Sequence, residues 1–336
     1  MKSINYIFIL IIISVTLVSC NSKTRFRVDT SKNRIEVKIH RFDKDLINLD
    51  ATHLQQSVDT LYSRYPDFLP VYTYNVLEMD AQNKDSVAYL FSKFVSDTTF
   101  QSVNKKVLTT FNDVSDIEKD ISDAYTYIHY YFPEISFPQV YFFVSGFNRS
   151  VLMTNNFIGV GTDFYLGADY EPYKSFTYQY LLYNMRRESL AIDVVSAALF
   201  RHFSFDGTEN GLVDNMLHRG KIIYLLSVFM PEKNIADLIG YSPEQWQWAE
   251  KYETDIWKTI VGQKHLFSTD MQLIRKYMND APFTAPVSQD SPGRLGTWVG
   301  WRIIDSYMQS NKDVSLEQLM KNNNYRQMLE KSHYRP

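Results

Sequence analysis

"QVYFFVSGFNRSVLMTNNFIGVGTDFYLG", residues 139–167, is the stretch that decides the fold class. Its short runs Val140–Val144, Val151–Thr154 and Phe157–Asp163 are rich in β-branched and aromatic residues and are parted by glycine and asparagine, the pattern of brief strands joined by turns. Upstream, "RIEVKIHRF" (Arg34–Phe42) alternates Ile35, Val37 and Ile39 with polar residues, the period of a half-buried strand expected to pair with one of these runs.

The flanks read as helix. "THLQ" at Thr52 has the form of a capping box, followed by Leu54, Val58, Leu61 and Tyr62 on one face. "DSVAYLFSKFV" repeats the pattern, and "SDIE" at Ser115–Glu118 opens a helix expected to reach about Phe132. Beyond Pro172 come "AIDVVSAALFRHF", then "ENGLVDNMLHRGKIIYLLSVFMP", apolar nearly all round and ended by Pro231. "YSPEQWQWAEKYETDIWKTIVG" follows, with Ser242 as N-cap, Pro243 in the first turn and Gly262 as stop. The expected fold is α+β: a mainly helical domain with a small central sheet of about four strands.

The start of the chain reads as an address. Residues 1–19 form a lipoprotein signal peptide whose apolar run is too short to span a bilayer comfortably, and Leu17-Val18-Ser19-Cys20 fits a lipobox. Cys20 is therefore the expected lipid attachment site, residues 20–33 a tether, and residues 34–336 a single globular domain. Two or more acyl chains on one cysteine hold a protein stably on a membrane. Because Cys20 is the only cysteine, disulfides and cysteine-based zinc sites are excluded. A net charge of −3 with a pI near 6.2 gives no electrostatic footprint for nucleic acid. Asn21 and the lack of an early acidic cluster favour a periplasm-facing anchor in the outer membrane over the inner.

"APFTAPVSQDSPGRLGTWVGWRIIDSYM" (Ala281–Met308) begins as a proline-stiffened loop and becomes a helix. Gly296 and Gly300 share one helical face and permit close approach of another helix. Arg294, Trp298, Trp301 and Arg302 crowd two turns and form a candidate partner surface, or a pocket for a carboxylate or phosphate.

The order "HRGKIIYLLSVFMP", "IGYSPEQWQWAEKYETDIW", "PGRLGTWVGWRIIDSYM" and the ending "YRQMLEKSHYRP" resembles the gliding motility lipoprotein GldB family of Bacteroidota. The resemblance implies a cell-envelope lipoprotein that supports gliding or the associated type IX secretion machinery, with envelope proteins of that machinery as partners and no catalytic residues or cofactor. That family is in turn distantly similar to predicted zinc peptidases with a zincin-like core, which implies a degenerate form of that core here.

A zinc peptidase of that kind needs two imidazoles one helical turn apart, a carboxylate beside them and a third ligand on a neighbouring helix. Laid over that plan, "ALFRH" places Ala198 and Leu199 where the first histidine and the general base belong, leaving His202. "HRGK" places Arg219 where an acidic ligand precedes glycine, and a fixed positive charge there repels a cation. The alternative, a metal-dependent hydrolase, would use His202 and His218 with Glu188 or Asp193. A third reading is a small periplasmic ligand held in an aromatic cleft. The chain carries no glycine-rich phosphate loop and no Gly-x-Ser-x-Gly elbow.

Overall fold

The structure, a computed structural model, describes residues 25–30, 33–79, 84–205 and 210–336. The expected signal peptide and Cys20 lie outside the described residues. In chain order the first half holds β1 (Ile39–His40), α1 (Phe42–Ile47), α2 (Leu54–Arg64), α3 (Phe68–Asn75), α4 (Lys84–Ser96), α5 (Thr98–Thr110), α6 (Ser115–Tyr131), β2 (Gln139–Phe143), β3 (Val151–Met153) and β4 (Phe157–Gly161). The second half is helical: α7 (Leu190–His202), α8 (Leu212–Phe229), α9 (Ile235–Ile239), α10 (Pro243–Lys251), α11 (Glu253–Gly262), α12 (Met271–Met278), α13 (Leu295–Ser310), α14 (Leu316–Lys321) and α15 (Tyr325–Ser332). This is the mainly helical α+β architecture expected, with one four-stranded mixed sheet in the order β1-β2-β4-β3. Among the described residues no helix is long and apolar enough to cross a membrane.

β2 pairs in parallel with both β1 and β4, while β3 and β4 pair antiparallel. Val140–Phe143 and all of β4 are buried, as befits strands covered on both faces. Alternation along β2 sends Tyr141 and Phe143 into an aromatic cluster with Phe42, Phe68 and Tyr72. Gly159 of β4 faces the same cluster, where a Cβ would lie 3.0 Å from the Phe143 ring and 3.1 Å from the Phe68 ring.

One local expectation is met only in part and another fails, for one shared reason. Only Ile39–His40 joins the sheet, yet the alternation over Arg34–Phe42 serves another contact. The backbone N–H groups of Ile35, Val37 and Ile39 donate to Thr126 Oγ1, Ser122 Oγ and Glu118 Oε1 of α6, each at 2.9 Å. Two extended residues advance about 6.6 Å and four helical residues about 6.0 Å, so the two spacings run in step. Glu118 is thereby drawn away from the capping box expected at Ser115, and the Ser115 N–H finds Asp113 Oδ1 instead. Likewise Asp50, not Thr52, caps the turn leading into α2. The Ser242–Gln245 capping box does form, but the helix expected to run to Gly262 breaks at Tyr252.

α8 and α13 form the central helical contact through glycines. A Cβ on Gly220 would lie 2.3 Å from the Gly300 carbonyl oxygen, and one on Gly300 would lie 1.8 Å from that of Met216. Gly296 meets a different helix, with Met278 Sδ of α12 2.5 Å from where its Cβ would be.

Candidate functional site

The loop after β4, α7, α8, α9 and the start of α13 enclose a cleft of about 380 Å³. Arg294 enters it from the N-cap of α13, where its backbone is left-handed (φ 58°). Its Nε lies 3.0 Å from Asp280 Oδ1, and its Nη2 donates to the Gly240 carbonyl at 3.0 Å. Gly240 ends α9 with φ 80°, and a Cβ there would stand 2.7 Å from Arg294 Nη2. Glycine is thus required both for the backbone conformation and for the guanidinium's approach.

The cleft's carboxylates are largely occupied. Asp193 of α7 accepts from the Tyr165 hydroxyl at 2.7 Å. Burial pushes its carboxyl up to about 6, against the opposing pull of that hydrogen bond and of Arg294. Asp237 accepts from Arg186 and from the Tyr183 hydroxyl.

Arg219 is the exception. In the 18-residue α8 every residue is buried except Asn215 and Arg219. Arg219 opens into the cleft and makes no hydrogen bond or ion pair among the described residues; its guanidinium carbon lies 4.9 Å from the centre of the Phe200 ring. In the wall of the same cleft, the buried Thr297 Oγ1 has no hydrogen-bond partner. A larger hollow of about 650 Å³, near Ile47 and Asn104, is more open and has Lys105 as its one charged wall residue.

The structure separates the four residues expected to form a partner surface. Trp298 is fully buried and Trp301 is 5% exposed, so burial removes both from any partner's reach. Arg302 grips Glu253 through two hydrogen bonds of 2.7 and 3.1 Å, and Tyr334 donates to the same carboxylate at 2.8 Å, fastening the end of the chain. Arg294 alone of the four reaches the cleft.

The expected metal ligands are also dispersed. His202 Nε2 lies 4.0 Å from Glu134 Oε1, beside the Phe203 ring. His218 is buried between Phe200 and Phe205, and burial, with Lys221 and Arg219 nearby, pushes its pKa down to about 4. Glu188 is exposed on a short turn before α7, while Asp193 faces the cleft. Ala198 and Leu199 are core residues. Among the described residues no three histidine, cysteine or acidic side chains are grouped to hold a metal ion.

Sequence reasoning missed Tyr165, Asp280, Thr297 and the opening at Arg219. The one available signal was an arginine in a helix that is apolar nearly all round.

Among known families, the model described as gliding motility protein GldB matches residues 23–336. No curated protein and no solved structure matches the chain.

Proposed function

We propose, from the premise that the chain belongs to the gliding motility protein GldB family, that it is a lipid-anchored, non-catalytic cell-envelope protein stabilising the gliding and associated type IX secretion machinery. The family match over residues 23–336 carries the motility assignment. The lipobox ending in Cys20 supports the anchor, Asn21 supports the outer membrane, and the lack of an early acidic cluster supports a periplasm-facing position.

The non-catalytic part of the reading rests on the cleft. A hydrolytic site needs a carboxylate or imidazole free to activate water. Here Asp280 is paired with Arg294, Asp237 with Arg186, and Asp193 accepts from Tyr165. Arg219 adds a fixed positive charge at the wall, which repels a divalent cation. Partners would then be engaged elsewhere than at the buried tryptophans.

The test is complementation of a deletion strain, scored by colony spreading, secretion and membrane fractionation. Cys20→Ala is expected to leave the membrane fraction and to fail to restore function, whereas His202→Ala restores it fully. A Cys20→Ala protein that stays membrane-bound refutes the anchor, and a normally abundant His202→Ala protein that fails refutes the non-catalytic reading.

A further inference from the structure

We propose that the cleft beside Arg294 is a binding site for a carboxylate carried on a small apolar body, with Arg219 as the side chain that takes the carboxylate.

An arginine at a cavity wall with no ion-pair partner is a ready anion receptor, because no carboxylate occupies its hydrogen-bonding fork. This one projects from the helix with the most complete burial, at one of its two positions that are not covered. Burial and the nearby Arg294 depress its pKa, consistent with a charge awaiting an anion.

Its neighbours do not supply that anion. Arg294 holds Asp280, Arg186 holds Asp237, and Asp193 is held by Tyr165. Arg219 is therefore the wall cation with no ion-pair partner among the described residues, and a single unpaired cation matches a monoanion. A phosphate dianion would bring a second negative charge toward Asp193 and Asp280 with nothing to offset it. The planar guanidinium fork suits the two oxygens of a carboxylate. The unpartnered Thr297 hydroxyl, in the same wall, supplies a further donor. Phe164, Phe200, Leu181, Ile192, Ile223 and Leu238 give the wall an apolar stretch, interspersed with serine, threonine and asparagine side chains, and that stretch is where the ligand's apolar body would lie. The volume of about 380 Å³ suits a small molecule, at the lower end of the usual range.

The experiment is isothermal titration of the full-length protein in detergent micelles, against a micelle blank. The probes are 3-phenylpropanoate, its neutral amide and inorganic phosphate. Saturable binding of the acid at one per chain is expected, at least about tenfold tighter than either the amide or phosphate. Arg219→Gln should weaken the acid by about tenfold or more while leaving circular dichroism unchanged. Thr297→Val, a near-isosteric change that removes an unpartnered group, should fold normally and weaken the acid by about threefold to tenfold. The proposal fails if the acid does not saturate in the millimolar range, or if acid and amide bind alike. It fails equally if phosphate binds more tightly, or if a folded Arg219→Gln protein binds the acid as the wild type does.

Discussion

Gly300→Ala should be among the most damaging single-methyl additions available to this protein. The added Cβ would lie 1.8 Å from the Met216 carbonyl oxygen and 2.5 Å from its carbon, both main-chain atoms of α8. Ordinary contact begins near 3.4 Å, so α8 and α13 would have to part by about 1.6 Å. No side chain can rotate away to relieve this, and Gly220 sits at the same crossing with Gly300's own carbonyl 2.3 Å from its virtual Cβ. Alanine's helix propensity offsets about 1 kcal/mol. Overpacking of a core costs about 1–3 kcal/mol where side chains can adjust, so backbone-on-backbone overlap belongs beyond the upper end, at about 4 kcal/mol, leaving about 3 kcal/mol net. With an unfolding entropy of about 2.1 cal/mol/K per residue, that is a fall in Tm of roughly 4–5 °C, measured by thermal or urea unfolding in detergent. Gly262→Ala is the control: nothing lies within 4 Å of its virtual Cβ, and stability should hold or rise by up to about 1 kcal/mol. Equal stabilities for Gly300→Ala and Gly262→Ala would refute the claim that this crossing is set by backbone contact.

Three further outcomes are expected. Trp298→Ala should lower unfolding free energy by about 3–5 kcal/mol, since Trp298 is fully buried; a variant as stable as wild type in urea would show that its ring is not core. Asp163→Asn should cost about 2–3 kcal/mol, because the buried carboxylate accepts from Ser145 N, Ser145 Oγ and Phe147 N, and an amide NH2 turns one acceptor into a donor; unchanged urea unfolding would dismiss that loop anchor. For Asp193, a folded pKa of about 6 lies above the roughly 3.9 of an unfolded aspartate, so the native state binds the proton more tightly. Its contribution favours folding below about pH 4 and is lost as pH rises through 6. Asp193→Asn keeps an acceptor for Tyr165 and should stabilise the protein by about 1–3 kcal/mol at pH 7.5 but hardly at pH 4. Urea curves at the two pH values check the sign, and a variant less stable at pH 7.5 would reverse it.

What the sequence made legible were patterns with a period. The strands at 139–161 follow from β-branched and aromatic runs between turn residues, and α7, α8, α10 and α13 from apolar repeats and caps that stay local in the chain. Where a local pattern found a distant partner, the reading slipped. Ile35, Val37 and Ile39 alternate as a strand does, yet their N–H groups dock on α6, and Glu118 answers that distant demand in preference to its own helix end. The cleft was beyond reach for the same reason. It assembles Tyr165, Asp193, Arg219, Gly240, Asp280 and Arg294 from separate elements, and no spacing in the chain encodes their meeting. The tryptophans misled because clustered aromatics and arginines read alike whether they form a surface or a core, and only burial separates the two.

"HRGK", residues 218–221, shows why a motif laid over this chain does not transfer its chemistry. In a helix surrounded on every side, successive residues turn by about 100° and meet different neighbours. His218 lies against Phe200 and Phe205, while Arg219 opens to the cleft. Gly220 lets α13 approach. Lys221, 1% exposed, donates to the carbonyls of Met320 and Asn322 at the end of α14, where a cation complements the helix dipole. A metal site would need His218 and its neighbours to converge on one point. Here packing has given the four residues four destinations, and the one that reaches the cleft carries a charge that draws anions and repels metal ions.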